Sequence, residues 1–248
     1  MDQARRRFPV WRWIGIAVAI LLSVLALLVG GWTLSRSRTY QLFGDLVHRV
    51  ETEEKVVALT FDDGPTPEYT AGVLALLRDK DVKATFYLIG SEAEANLTEA
   101  QAIVADGHEL GNHTYTHADM TFASEADAES QVIRTDAAIR AAGYSGEITF
   151  RPPYGKKLFG LPLYLARNNR VTVTWDVEPE TDESMAASPE RMVSHVLDQT
   201  KPGSIILLHI MYPARETSRQ ALPAIIDGLK ERGFRFVTVS DLLKRRGS

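Results

Sequence analysis

The sequence has 248 residues, of which 28 are lysine or arginine and 32 are acidic, and it contains no cysteine. The lack of cysteine excludes disulfides, a thiolate nucleophile and a cysteine-ligated zinc site. A formal net charge of −4 gives no basic field for nucleic acid, and the length suits one α/β domain with a full core.

The first predicted element is a membrane-spanning helix over residues 14–32. This stretch has no charged side chain and is about as long as the roughly 20 residues that cross a bilayer. Arginines are more frequent before it than after it, which places the N-terminus in the cytosol. A cleaved signal peptide is the alternative, but no clear A-x-A-like cleavage site follows Gly31. We therefore predict an uncleaved, single-pass anchor in the cell membrane, with the rest of the chain extracytoplasmic.

The anchor divides the chain into four predicted regions. Residues 1–13 are a basic cytosolic N-terminus and 14–32 are the anchor. The polar, mixed residues 33–55 are interpreted as a stalk, and 56–248 as the globular domain.

The globular domain shows a βα repeat. From Val56 onward, short β-branched runs alternate with amphipathic segments that begin after Ser or Thr or end at Gly. About seven parallel strands are predicted from this pattern. No glycine-rich phosphate loop follows the first strand, so we expect no nucleotide.

Polar residues follow successive predicted strands. In (β/α) barrels the catalytic groups come from several strand ends at one mouth, whereas an open sheet concentrates them at one switch point. We therefore predict an α/β fold with a distorted, incomplete (β/α)7-8 barrel behind the transmembrane helix. The strand-end residues are Asp62, Asp63, His113, Arg151, Asp176 and His209.

Two histidines and two acids indicate a metal site. His113 and His117 are four residues apart, so on a helical turn they share one face. Two histidines and a carboxylate form a recurrent catalytic zinc set. One of the adjacent acids Asp62 and Asp63 can be that carboxylate, while the other acts as a base toward water. Histidines that only cap or line a surface are the alternative.

Four motifs in order carry a resemblance to a known family. The segments TFDDGP, HTYTH, RPPYG and LLH resemble the polysaccharide deacetylase family, the NodB-homology domain of carbohydrate esterase family 4, over residues 56–243. The resemblance implies a distorted (β/α) barrel that removes N- or O-acetyl groups from polysaccharides with one divalent metal. We expect zinc, with cobalt, manganese or nickel as alternatives.

The resemblance also implies roles for individual residues. Asp62 corresponds to the general base and His209 to the general acid. The metal ligands would be Asp63, His113 and His117.

The RPPYG motif implies supporting roles. Arg151 would hold and polarise the base. Tyr154 would line the substrate groove and offer its backbone N–H to the oxyanion. Pro152 and Pro153 stiffen this turn, so we expect them to help bind substrate.

The fourth motif departs from the family pattern. The stretch TWDVEPETD lacks the two aspartates three apart that the family has there. This motif normally supplies the acid that orients the catalytic histidine. We therefore expect either Glu178 or Asp176 to support His209.

Two other functions remain as alternatives. A metal-free, glycan-binding pseudoenzyme would have lost a ligand or the base, yet every one of these residues is present. Another metal-dependent C–N hydrolase on the same barrel would act on small amides. A membrane-tethered exported chain instead favours an extracellular polymer, so we expect peptidoglycan, a chitin-like glycan or an exopolysaccharide as partner, together with the membrane.

Overall fold

A computed structural model describes residues 10–246 of the protein. The arginines at positions 5–7, which support the predicted topology, lie outside the described residues. Helix α1 (Val10–Ser35) contains the predicted anchor, and the rest of the chain buries none of its most apolar window. It is long and apolar enough to cross a membrane, a criterion that a signal sequence near the N-terminus also meets.

The described chain alternates strands and helices as the sequence predicts. The strands are β1 (Leu46–Val47), β2 (Val56–Asp62), β3 (Thr85–Leu88), β4 (Glu109–Asn112), β5 (Thr172–Val173), β6 (Ile205–His209) and β7 (Arg235–Val237). The remaining helices are α2 (Thr70–Asp79), α3 (Gly90–Ala95), α4 (Leu97–Ala105), α5 (Glu125–Ala141), α6 (Gly160–Arg167), α7 (Glu183–Ala186), α8 (Pro189–Gln199), α9 (Glu216–Glu231) and α10 (Val239–Leu243).

Parallel strands close into a distorted barrel, which confirms the predicted fold class. The order β4–β3–β2–β6 forms a continuous sheet, and β7 pairs with the first half of β2. Phe150 bridges Asn112 at the end of β4 and Thr172 in β5, while Val177 bridges Ile206 in β6. Pairing therefore runs around the ring, although two of its positions are reduced to a single bridge or a two-residue strand.

Strand β2 is the centre of the barrel, and its alternation sets the direction of the first catalytic candidate. All seven of its residues are buried. Val57, Leu59 and Phe61 pack in the cluster shared with the surrounding helices. Val56 and Ala58 pack in a separate cluster with residues of other strands. Because side chains alternate along a strand, Asp62 follows Ala58 onto this inner side.

Part of the predicted stalk is packed against the barrel. Within residues 33–55, strand β1 pairs in parallel with β5, and Val47 and Val50 are buried. The Val50 N–H donates to the carbonyl of Gly203 at 3.0 Å. These residues fill the gap between β5 and the start of β6. Two valines in a polar stretch were too weak a sequence signal to predict this strand.

We predict that a soluble domain beginning at Val56 is less stable than one beginning at Asp45. The shorter chain loses the burial of Val47 and Val50, which costs roughly 3–5 kcal/mol of unfolding free energy at about 1.5 kcal/mol or more for each side chain. Urea denaturation of the two truncations measures the difference. Equal midpoints would show that residues 45–55 contribute nothing to the barrel.

Candidate functional site

A cavity of about 300 Å³ opens where the barrel strands end, and it gathers most of the residues predicted for the site. Arg151 is fully buried and reaches the cavity only through its ion pair with Asp62. Pro152 and Pro153 are buried and lie outside the cavity lining, and their role in substrate binding stays a prediction. The predicted residues that line the cavity are Asp62, Asp63, His113, His117, Tyr154, Glu178 and His209.

The two adjacent aspartates reach the same cavity because the backbone turns between them. Alternation along β2 would send Asp63 away from Asp62. Asp63 instead has a φ of 75°, in the left-handed region, while its N–H still donates to the carbonyl of Tyr87 at 3.1 Å. Its Oδ1 lies 3.4 Å from Nε2 of His117 and 3.8 Å from Nε2 of His113.

The two histidines lie on an irregular loop after β4 rather than on the helical turn that their spacing suggested. Thr114 and His117 have φ values of 66° and 55°, which fold the loop so that the two imidazole centroids are 5.1 Å apart. Nδ1 of His113 lies 2.8 Å from the carbonyl of Arg151. A carbonyl only accepts, so Nδ1 carries the proton and Nε2 presents a lone pair toward the aspartates.

The donor atoms of Asp63, His113 and His117 fit a divalent metal. One ligand atom from each lies within 4.8 Å of the others. Oδ1 of Asp63 is buried and accepts no hydrogen bond from the described residues, an arrangement that costs free energy unless a cation satisfies it. Burial lowers the pKa of both histidines, which favours the neutral, ligating imidazole. Two imidazoles and a carboxylate, with further positions open, match a catalytic zinc set.

Asp62 is held in a buried ion pair apart from that donor set. Nη1 of Arg151 donates to Oδ1 of Asp62 at 2.7 Å and to Oγ1 of Thr60 at 2.8 Å. Burial alone would raise the pKa of Asp62, but the charge of Arg151 outweighs it and lowers the pKa. The carboxylate is therefore ionised, and its other oxygen, Oδ2, lies 3.6 Å from Nε2 of His113.

His209, at the end of β6, is supported by Glu180. The Glu180 carboxylate accepts a hydrogen bond from Nδ1 of His209 and from its backbone N–H, at 3.0 Å for the latter. Ser218 also donates to Glu180. Burial opposes the imidazolium, but the hydrogen bond and charge of Glu180 prevail and raise the pKa of His209 to about 9.

The expectation that Glu178 or Asp176 supports His209 is corrected. Asp176 accepts hydrogen bonds from Ser204 at 2.7 Å and from the N–H of Ile205 at 2.8 Å, and so ties the end of the β5 segment to β6. Glu178 lines the cavity but accepts from the hydroxyl of Thr181. β5 ends at Val173, Val177 forms one isolated bridge to Ile206, and the chain bends from Pro179 onward, where Glu180 contacts His209. The third acid of the run DVEPE was the sequence signal for this residue.

Tyr154 forms the outer wall of the cavity. It has a φ of 59°, the residue is 60% exposed, and its ring meets that of His117 edge-on with 4.7 Å between the centroids. The exposed face of the ring can therefore contact a substrate that enters the cavity.

Comparisons with known proteins give one consistent family. The sequence profile described as "Polysaccharide deacetylase" matches residues 49–183. The chain is 37% identical over 190 residues to the peptidoglycan-N-acetylglucosamine deacetylase of Bacillus cereus, covering 76% of this chain and 68% of that protein. It is 36% identical over 199 residues to the chitooligosaccharide deacetylase of Sinorhizobium fredii, covering 76% of this chain and 92% of that protein. The solved Bc1960 peptidoglycan N-acetylglucosamine deacetylase superposes with a TM-score of 0.73 at 36% identity, covering 79% and 91% of the two chains.

We predict that the protein binds about one divalent metal per chain through Asp63, His113 and His117. The variant in which both His113 and His117 are replaced by alanine should lose it, because one carboxylate cannot hold the ion alone. Elemental analysis after gel filtration measures the content, with His195→Ala on helix α8 as the control. A double variant that retains the full metal content would disprove the ligand set.

We also predict that Glu180→Gln lowers the pKa of His209 from about 9 toward the ordinary histidine value of about 6.5. The sign follows because Glu180 stabilises the charged imidazolium, and glutamine removes that charge. NMR titration of the His209 ring in the metal-free protein measures the shift. Glu178→Gln is the matched control and should leave the pKa of His209 unchanged. A pKa shift in Glu178→Gln but not in Glu180→Gln would show that Glu178, and not Glu180, supports His209.

Proposed function

The chain belongs to the polysaccharide deacetylase family, and from this premise we propose that it removes the N-acetyl group from N-acetylglucosamine in peptidoglycan. The observation that supports this most is the convergence of Asp62, Asp63, His113, His117 and His209 on one cavity. A chitin-like glycan is the second candidate, since the comparisons include chitooligosaccharide deacetylases.

The proposed metal is zinc, held by Asp63, His113 and His117. A divalent cation there supplies Lewis acidity, which lowers the pKa of water and polarises the acetyl carbonyl. His113 is oriented for this role by its Nδ1–H bond to the carbonyl of Arg151. The charge of Asp63, buried without another donor, is the one the ion would offset.

Asp62 is the proposed general base. Because Oδ1 is held by Arg151, Oδ2 is the oxygen available to accept a proton from water. The ion pair keeps Asp62 ionised in a buried position and fixes its orientation. The attack of the water oxygen on the acetyl carbon then produces a tetrahedral oxyanion, to which the backbone N–H of Tyr154 is proposed to donate.

His209 is the proposed general acid. The departing amine nitrogen must gain a proton when the C–N bond breaks, and the products are acetate and a glucosamine residue. Glu180 holds Nδ1, so Nε2 carries the proton that is transferred. A His209 pKa raised to about 9 keeps this acid protonated at neutral pH.

The extracytoplasmic position of the substrate agrees with the proposed topology. We propose that α1 stays in the membrane as a single-pass anchor, with the N-terminus in the cytosol and the barrel outside. The length and apolar composition of α1, together with the preceding arginines, support this topology.

Replacing each aspartate of the pair separately should give different losses. Asp62→Asn should retain metal and lose roughly 10²–10⁴-fold in kcat, the usual contribution of general base catalysis. Asp63→Asn should lose metal as well as activity. Mass spectrometry of acetate loss from peptidoglycan fragments, paired with metal analysis, measures both, with Asp198→Asn on α8 as the surface control. Retained metal in Asp63→Asn together with lost metal in Asp62→Asn would mean that the two roles are exchanged.

A further inference from the structure

A second cavity continues the catalytic one toward helix α1. It has a volume of about 420 Å³ and shares Tyr154, Trp175, Glu178 and Thr181 with the catalytic cavity. A glycan whose acetylated sugar enters the first cavity can therefore place a neighbouring sugar in the second.

The part of the wall that lines only the second cavity is basic. It consists of Arg36, Arg38 and Lys156. Lys156 is paired with Asp119 at 2.6 Å, but neither arginine has a carboxylate of the described chain within 4.0 Å. Each guanidinium instead lies over an aromatic ring: Arg36 is 3.9 Å from the centroid of Trp32, and Arg38 is 5.6 Å from that of Trp175.

The lining contains one acid, Glu178, which could oppose an anionic ligand. Its carboxylate accepts a hydrogen bond from Thr181 and is almost completely buried in the wall. Both arginines are exposed at the cavity and are therefore free to pair with a ligand. The two unpaired cations outnumber this acid, so the cavity favours an anion.

The backbone that carries the two arginines is fixed to the barrel. The N–H of Lys157 donates to the carbonyl of Ser35 at 2.9 Å, and its buried ammonium donates to the carbonyl of Ser37 at 2.5 Å. The hydroxyl of Thr174 donates to the carbonyl of Arg38 at 2.6 Å. The arginines therefore project from a held segment rather than from a free linker, which reduces the entropy lost when they bind a ligand.

We propose that this cavity is a subsite for the sugar next to the deacetylated one, and that Arg36 and Arg38 select a sugar bearing a carboxylate. The inference rests on the proposed function. Guanidinium groups pair with carboxylates through two parallel N–H donors, a contact that a neutral sugar cannot offer. The selecting residues lie before residue 49, where the family match begins, so the subsite depends on the segment that joins the barrel to α1.

The test compares substrates that differ only in charge. The full chain in detergent is assayed with a tetrasaccharide of alternating N-acetylglucosamine and N-acetylmuramic acid, and with the same tetrasaccharide whose lactyl carboxylates are amidated. We expect a higher kcat/KM for the carboxylate form than for the amidated form, because its KM is lower. This preference should become smaller as the salt concentration rises from about 0.05 M to about 0.5 M. In the Arg36→Gln/Arg38→Gln variant the ratio of the two kcat/KM values should fall about ten-fold, as expected for lost charge-assisted hydrogen bonds.

Arg191→Gln/Lys201→Gln is the matched control, since these two exposed cations in and just after α8 change the net charge equally but lie outside both cavities. It should preserve the ratio. Absence of a carboxylate preference in the wild type, or an unchanged ratio in the double variant, would overturn the subsite. Should the wild type deacetylate neither substrate, the proposed function fails. In that case the affinities of the two tetrasaccharides for the same variants are measured by calorimetry. The ratio of the two Kd values then tests the subsite in place of the ratio of kcat/KM values.

Discussion

The buried ion pair between Arg151 and Asp62 is the interaction on which the site depends. Their side chains are 0% and 3% exposed, and Arg151 also donates to the carbonyl of Thr174 at 3.2 Å and lies 4.1 Å from the ring centroid of Tyr87. Removing either partner would leave an uncompensated buried charge, which costs about 3–5 kcal/mol. The pair therefore fixes the charge and orientation of Asp62, and it joins β2 to the segment around β5.

Backbone strain brings the remaining side chains to this pair. Six non-glycine residues of the described chain have a positive φ, and four of them, Asp63, Thr114, His117 and Tyr154, lie in or beside the cavity. Such conformations cost of order 1–3 kcal/mol each and persist only where the surrounding structure enforces them. Here they let adjacent acids share one cavity and let a loop hold two histidines together. The free energy gained by packing the barrel core, which contains all of β2, offsets the cost of these strained conformations.

The barrel and most of the site could be predicted from sequence, because strand ends of a βα repeat meet at one mouth and carry short motifs. The features that the sequence did not predict lie in loops and in very short strands. Glu180 was missed because the motif comparison pointed to Glu178 and Asp176, and because β5 ends at Val173, so no strand pattern shows which acid of the bent segment after it reaches His209. Strand β1 was missed because its two-residue pairing needs β5 beside it and leaves no pattern in the polar segment 33–55. A loop, and not the expected helical turn, carries His113 and His117. A spacing of four residues allows the two imidazoles to lie close together in either conformation, so the spacing alone could not distinguish them.

The central claim is that two adjacent aspartates divide the work, with Asp63 on the metal and Asp62 held off it by Arg151. Anomalous diffraction at the zinc edge from crystals of the zinc-loaded protein tests this division directly. The account predicts one peak at about 2.0–2.2 Å from a carboxylate oxygen of Asp63 and from Nε2 of both His113 and His117. Asp62 should lie beyond bonding distance of that peak and keep its contact with Arg151. A peak bonded to Asp62, or one that leaves Asp63 without a bond, would contradict the account.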